Sequence, residues 1–241
     1  MAGNEQGLPL LEKADGTESK AYTHCAWSIP NVLLFVFVVA GVVMRVKVIG
    51  AGSVVWLMTV MALNIIRRPF EKEQQSNTIV SKFHVSKEKA LLFCVSAGMF
   101  LFPAAFLITG FPRFADFGDL GLLPVVFGSV VTVAALYLFW RSHADLGRNW
   151  SPTTELREDH TLTTSGVYSK VRHPMYTSLW IINAVQPLLV HNWIAGFAPV
   201  CSFAILYFIR IEYEEEMMIQ QFGDEYREYC RRTKRLVPGC L

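Results

Sequence analysis

Hydrophobic residues fall in long blocks along this chain, not in the stripes of period 3.6 or 2 that mark half-buried helices and strands. A helix needs about 20 apolar residues to cross a bilayer core. Six blocks approach that length: residues 26–44, 48–66, 90–108, 120–140, 175–190 and 193–211. The short charged link Arg45-Val46-Lys47 separates the first two, and a polar loop, residues 67–89, follows the second. Gly110, Pro112 and Gly118 mark a turn after the third, and a long polar stretch, residues 141–172, follows the fourth. Only His191 and Asn192 lie between the last two blocks, which predicts a tight helical hairpin. The fifth block carries Asn183, Gln186 and Pro187, so its helix is expected to be irregular and lined by protein.

The pattern predicts an all-α, polytopic membrane protein of about six transmembrane helices. Past the last block, Ile211, Met218, Phe222, Tyr226 and Tyr229 continue along one helical face. Gly223 interrupts that run, and glycine costs about 1 kcal/mol inside a helix, which predicts a kink or break there. This C-terminal element is expected to be a cytosolic helical extension folding back along the core. The chain thus divides into a polar tail (1–25), N-terminal membrane helices (26–145) and a C-terminal part (146–241) holding the polar motifs and the last hairpin.

Composition sharpens this picture. Of the 241 residues, 52% are apolar and only 17% charged, below the roughly 25% of ordinary soluble domains. With 22 basic against 20 acidic residues, the net charge of +2 is too balanced for a nucleic-acid binder. Six crossings put both termini on one side, and 19 of the 22 Lys and Arg residues then share it; Arg45, Lys47 and Arg113 lie opposite. Cytoplasmic loops collect such residues, so both termini, and every long polar segment, are expected in the cytosol. Residues 1–24 lack the basic and apolar regions of a cleaved signal. The five cysteines form no CxxC pair, and no Cys/His group has metal-ligand spacing, so no metal is expected.

Two constellations could carry chemistry. The first is the polar run from His160 through Thr161, Leu162, Thr163, Gly166 and Tyr168 to Arg172, His173, Pro174, Met175 and Tyr176, which abuts the fifth block. Gly166 permits a tight turn, and Pro174 suits the first turn of a helix, where its missing N–H costs nothing. Arg172 and His173 then stand at the membrane–water boundary, as functional groups or as interfacial anchors. The second is Arg210 with Glu214, four residues apart on one helix face, with Glu215 as a neighbouring candidate. An arginine at a membrane-helix end is costly unless paired or facing a cavity. Its fork matches a carboxylate or phosphate, although a simple intrahelical ion pair would look the same. Glu212 and Glu216 read as a solvated face.

His160-Thr-Leu-x-Thr-Ser-Gly-Val-Tyr168, then Arg172-His-Pro-x-Tyr176, Glu214-Glu215, Phe222-Gly-Asp-Glu-Tyr226 and Tyr229 together resemble the isoprenylcysteine carboxyl methyltransferase family, relatives of the phospholipid N-methyltransferases. The likeness runs over residues 146–238. It implies an integral-membrane enzyme using S-adenosylmethionine to methyl-esterify a C-terminal isoprenylcysteine carboxylate. Its partners would be a lipophilic or prenylated acceptor and membrane lipids. The membrane would be the endoplasmic reticulum in a eukaryote, the inner or plasma membrane in a prokaryote. His160, Thr161, Leu162, Thr163, Tyr168, His173, Pro174, Met175, Tyr176 and Glu214 would hold the cofactor. Arg210 would contact the acceptor, with Arg172 a further candidate for orienting its carboxylate. Ser178 and Thr153 stand where the family usually has Gly and Gln. A phospholipid amine or a small lipophilic thiol or acid are alternative acceptors within the class. A sterol-type NADPH reductase, with similar Arg-His boxes, is the alternative enzyme class; a six-helix transporter finds little support, because mid-membrane ionisable residues are scarce.

Overall fold

The computed structural model describes residues 11–13, 29–74, 79–83, 85–118, 121–150, 155–157 and 161–240. These residues are nearly all helical. Helix α1 (Ile29–Gln74) leaves helical geometry at Gly50, where φ is 76° and ψ 176°. The first two apolar blocks are therefore divided three residues beyond the charged link expected to part them, at the residue that tolerates positive φ without a Cβ clash. Helix α2 (Val85–Ser96) runs through a π-turn (Ala97–Leu101) into α3 (Phe102–Thr109). Then come α4 (Leu122–Leu146), α5 (Pro174–Val185), α6 (Trp193–Phe222) and α7 (Asp224–Arg232).

Four stretches among the described residues are long and apolar enough to cross a membrane: Gly50–Glu71, Ala90–Thr109, Leu122–Asn149 and Trp193–Phe222. Helix α4 shows how the sequence sorts its faces. Val125, Gly128, Thr132, Ala135, Phe139, Ser142 and His143 are buried at spacings of three and four. Phe127, Val130, Val133 and Tyr137 form the opposite face and are exposed. Large apolar residues outside, with small and polar ones inside, invert the soluble pattern and suit a helix bathed in lipid. The helix also outruns its apolar block by six residues, because Ser142 and His143, polar in sequence, are fully buried against neighbouring segments.

The fifth block does not form a full-length helix. Its 12 residues in α5 rise only about 18 Å, short of a hydrocarbon core of about 30 Å. A 3-10 turn (Gln186–Leu188) carries the chain on to the α6 start. There Asn192 is fully buried. Its Oδ1 accepts from the Ile194 and Ala195 amides, both at 3.0 Å. Its Nδ2 donates to the Pro112 carbonyl (2.8 Å) and Asp116 Oδ1 (2.7 Å). One side chain thus caps α6 and ties the hairpin to the 110–118 loop, leaving neither amide atom unsatisfied in an apolar setting.

One departure from an all-helical expectation stands at the other end of the bundle. Strands β1 (Leu11–Lys13), β2 (Ile79–Phe83) and β3 (Glu155–Arg157) form a small antiparallel sheet in the order β1-β2-β3. Leu11 pairs with Phe83, and Ile79 with Arg157. Three segments that look unstructured singly satisfy one another's backbone groups.

Candidate functional site

The site forms where the polar run 161–176, the C-terminal half of α6 and the segment after α7 meet. Asp145, in the last turn of α4, sets the first contact: its Oδ2 accepts from the Val167 amide at 2.9 Å, and its Oδ1 from Arg141 at 2.6 Å. Gly166 makes this approach possible. Its φ is 61°, and a Cβ there would lie 2.1 Å from the Asp145 carboxylate. Asn149 pins the preceding strand-like segment, donating to the hydroxyls of Thr161 (2.9 Å) and Thr163 (3.2 Å) and accepting from the Thr161 amide (3.2 Å). Leu162 lies between these two anchored threonines, half-buried. His160 lies outside the described residues.

Tyr168 is buried beneath this segment, and its hydroxyl donates to the Ser142 carbonyl at 3.2 Å. Burial, helped by the neighbouring Tyr229, Asp145 and Glu214, pushes its phenol far above the ordinary range, so it remains a protonated donor. Its own carbonyl accepts from the Tyr229 hydroxyl at 2.5 Å. The aromatic face beyond Gly223 therefore does fold back: Tyr226 and Tyr229 on α7 are buried, and Glu212 and Glu216 remain exposed. Gly223, with φ 56°, ends α6 and starts α7, the break expected there.

The start of α5 carries the densest polar cluster. His173 precedes the helix and Pro174 opens it. A strap of residues 233–236 crosses this start. Val171 bridges to Lys234, the Arg172 and His173 amides donate to the Lys234 and Arg235 carbonyls (2.8 and 2.9 Å), and Thr177 Oγ1 donates to the Leu236 carbonyl (2.8 Å). Glu215 is the hub. Its Oε1 accepts from Arg172 Nε (2.9 Å), Arg172 Nη2 (2.7 Å) and His173 Nε2 (3.2 Å). Its Oε2 accepts from Arg235 Nε (2.8 Å) and Nη2 (2.6 Å). Arg172 Nη1 donates to the Thr233 and Cys230 carbonyls. The fork of Arg172 is thus engaged by Glu215, the last turn of α7 and the strap. The Glu215 hydrogen bond also raises the Arg235 pKa, so that this partner stays charged.

Glu214 faces a different set. Tyr176 donates its hydroxyl to Glu214 Oε1 at 2.5 Å, and Arg210 Nη2 approaches the same oxygen at 3.1 Å. Glu214 Oε2 lies 4.0 Å from His173 Nδ1. Tyr176 stacks against His173 and meets Tyr207 edge-on, and Met175 packs beside them in a cluster with Phe139, Phe203 and Ile211. His173 thus stands between the two glutamates, with Glu215 structural and Glu214 set toward Tyr176 and Arg210. Of the expected site residues, Thr161, Thr163, Tyr168, Arg172, His173, Tyr176, Arg210 and Glu214 converge on this end of the bundle. Asp145, Asn149 and Arg235, which hold them together with Tyr229, are not evident from sequence spacing; each is a single polar residue whose partner lies far along the chain or in another element.

A helical membrane protein with a polar, carboxylate- and arginine-bearing site at one end of its bundle is the class this geometry defines. Residues 125–220, from α4 into α6, match the model of the isoprenylcysteine carboxyl methyltransferase (ICMT) family. The chain is 33% identical over 118 residues to protein-S-isoprenylcysteine O-methyltransferase of Homo sapiens, covering 49% of this chain and 40% of that protein. It is 27% identical over 165 residues to protein-S-isoprenylcysteine O-methyltransferase B of Arabidopsis thaliana, covering 68% of this chain and 80% of that protein. The match thus spans two-fifths of the human relative's length and four-fifths of the plant one's. A solved structure of the eukaryotic intramembrane Ras methyltransferase ICMT superposes with a TM-score of 0.48 at 18% identity, over 84% of this chain and 74% of that one.

Proposed function

We propose that this protein transfers a methyl group from S-adenosylmethionine to the carboxylate of a C-terminal isoprenylcysteine at the cytosolic membrane face. The observation that carries this reading is the Tyr176–Glu214–Arg210 constellation, set beside the Thr161–Tyr168 segment at the end of the apolar bundle. The family match over the same residues supports it.

The side chains fit such a donor. Glu214, one-fifth exposed, offers a carboxylate to an ammonium or a ribose hydroxyl, and Thr161 and Thr163 offer hydroxyls on a pinned backbone. Tyr168, His173, Pro174, Met175 and Tyr176, with Leu162 and His160, would complete the cofactor side. When bound, the cofactor would supply an electrophilic methyl on a sulfonium whose sulfur leaves as a neutral thioether, so that a carboxylate acceptor needs no proton removed. The chain's task is then positioning, which is worth roughly 7–11 kcal/mol when reactants are held in near-attack geometry. Arg210 would hold the acceptor carboxylate, and Arg172, through Glu215, would hold His173.

In the proposed topology of six crossings both termini are cytosolic and 19 of the 22 basic residues lie on that side; the fifth crossing would be made by the short α5 with the 3-10 turn after it, shielded by protein instead of lipid. The C-terminal helix and strap then lie on the cytosolic side, and a prenyl tail would enter from the bilayer.

Arg210 and Glu214 variants test the division of labour. Arg210→Ala is expected to lower turnover strongly and leave S-adenosylmethionine affinity nearly intact, with little rescue by Arg210→Lys, whose ammonium lacks the fork. Glu214→Gln is expected to weaken donor binding. Equal, small effects on both quantities in all variants would reduce the pair to an intrahelical salt bridge and overturn the assignment.

A further inference from the structure

A further arginine reaches this end of the bundle from the N-terminal half of the chain. Arg67 stands near the end of α1, within the apolar span Gly50–Glu71. Its neighbours Leu63 and Ile66 pack on the cluster built from Phe139, Tyr176, Phe203, Tyr207 and Ile211. Its guanidinium carbon lies 5.2 Å from the centre of the Phe139 ring. Arg210, Tyr176 and Glu71 are all within electrostatic reach of it. Its Nε is buried and donates to no group among the described residues.

Such an arrangement is unfavourable by itself. Two guanidinium groups share an apolar, poorly screened cluster, and a buried donor without an acceptor is destabilising. Glu71, one turn on, offsets part of the charge of Arg67 but leaves the Nε donor unmet. Glu214 is already the acceptor of the Tyr176 hydroxyl and the ion-pair partner of Arg210. A further anion between the arginines would satisfy both the charge and the donor.

We infer that Arg67 binds the acceptor carboxylate together with Arg210, so that two guanidinium groups from α1 and α6 select an anionic acceptor over a neutral one. This rests on the methyltransferase reading above and names the residue that sets its acceptor chemistry. An Arg-carboxylate contact is directional, so one oxygen can be held by hydrogen bonds while the other stays available. It also gives the N-terminal helices, which carry none of the sequence motifs, a direct part in the site.

The experiment measures binding of an N-acetylated S-prenylcysteine and of its methyl ester to purified full-length protein in nanodiscs of phosphatidylcholine alone. No cofactor is added, and S-adenosylmethionine affinity is measured separately. Wild-type protein is expected to prefer the carboxylate by about tenfold or more, the size of one charge-assisted hydrogen bond. Arg67→Gln is expected to remove about tenfold of that preference while donor affinity is unchanged. Arg67→Lys keeps the charge without the fork and is expected to lose several-fold; it carries the same test if the Gln variant does not fold. A preference within twofold of wild type in either folded variant overturns the role of Arg67 while leaving the methyltransferase reading standing. Wild-type protein that binds neither compound overturns both. A preference that is absent in phosphatidylcholine and appears only with anionic lipid would make Arg67 a headgroup contact and overturn the inference.

Discussion

Glu215 should matter to the fold more than its neighbour Glu214, although the sequence points first to Glu214. Its carboxylate receives five donor contacts from three residues, and its side chain is only 10% exposed. The Arg172 side chain that meets it is 8% exposed, so Glu215→Gln leaves a buried guanidinium without its counterion. Removing one partner of a buried ion pair costs about 3–5 kcal/mol. The Arg235 side contributes less, because that side chain is 43% exposed and its attraction is screened, which limits its share to about 1 kcal/mol or below. Thermal or denaturant unfolding in detergent, with the site-proximal Trp150 and Trp180 as fluorescent reporters, gives the comparison. The expected order is Glu215→Gln several kcal/mol down, Glu214→Gln down by less, because Glu214 receives two contacts where Glu215 receives five although its partner Arg210 is also buried, and Arg235→Ala about 1 kcal/mol down. Donor binding should fall in the first and second variants for different reasons, by loosening of His173 in one and by loss of a contact in the other. Equal stability of Glu215→Gln and Arg235→Ala would refute the claim that the Arg172 limb organises this end of the bundle.

Two other substitutions probe how the site is held. Gly166→Ala combines a positive φ with a Cβ inside the Asp145 carboxylate, and should cost at least about 1–2 kcal/mol and weaken donor binding, read by calorimetry. Asn192→Ala removes the α6 cap and leaves the Pro112 carbonyl and Asp116 without their donor; about 1 kcal/mol from the cap and a similar amount from the lost bonds should appear in unfolding, with donor affinity unchanged because Asn192 lies at the opposite end of the bundle.

Much of this architecture is legible in the sequence because membrane helices declare themselves by bulk apolar length. The irregular fifth segment was readable from Asn183, Gln186 and Pro187, and the break after α6 from Gly223. The exposed character of Glu212 and Glu216 followed from helical spacing. What escapes such reading is long-range polar pairing. Nothing in the local pattern of residues 233–236 marks a strap across α5, since its contacts run mostly through backbone carbonyls. Arg172 has the residue type expected of an anion-binding group, and only the position of Glu215, 43 residues on, shows that its fork is engaged. Arg67 was legible only as one positive charge in a polar loop, because its role depends on Phe139 and Arg210 from other helices. The small sheet is invisible for the same reason: strands of three to five residues have too little periodicity of their own.

The most direct test of the central claim is identification of the product. Purified full-length protein would be incubated with methyl-labelled S-adenosylmethionine and an equimolar panel of a prenylcysteine carboxylate, a phospholipid amine and a lipophilic thiol, and the products read by mass spectrometry. The account predicts label in a base-labile methyl ester of the prenylcysteine, lost in Arg210→Ala. Label on the amine or thiol, or no transfer beside NADPH-dependent reduction of a sterol, would contradict it.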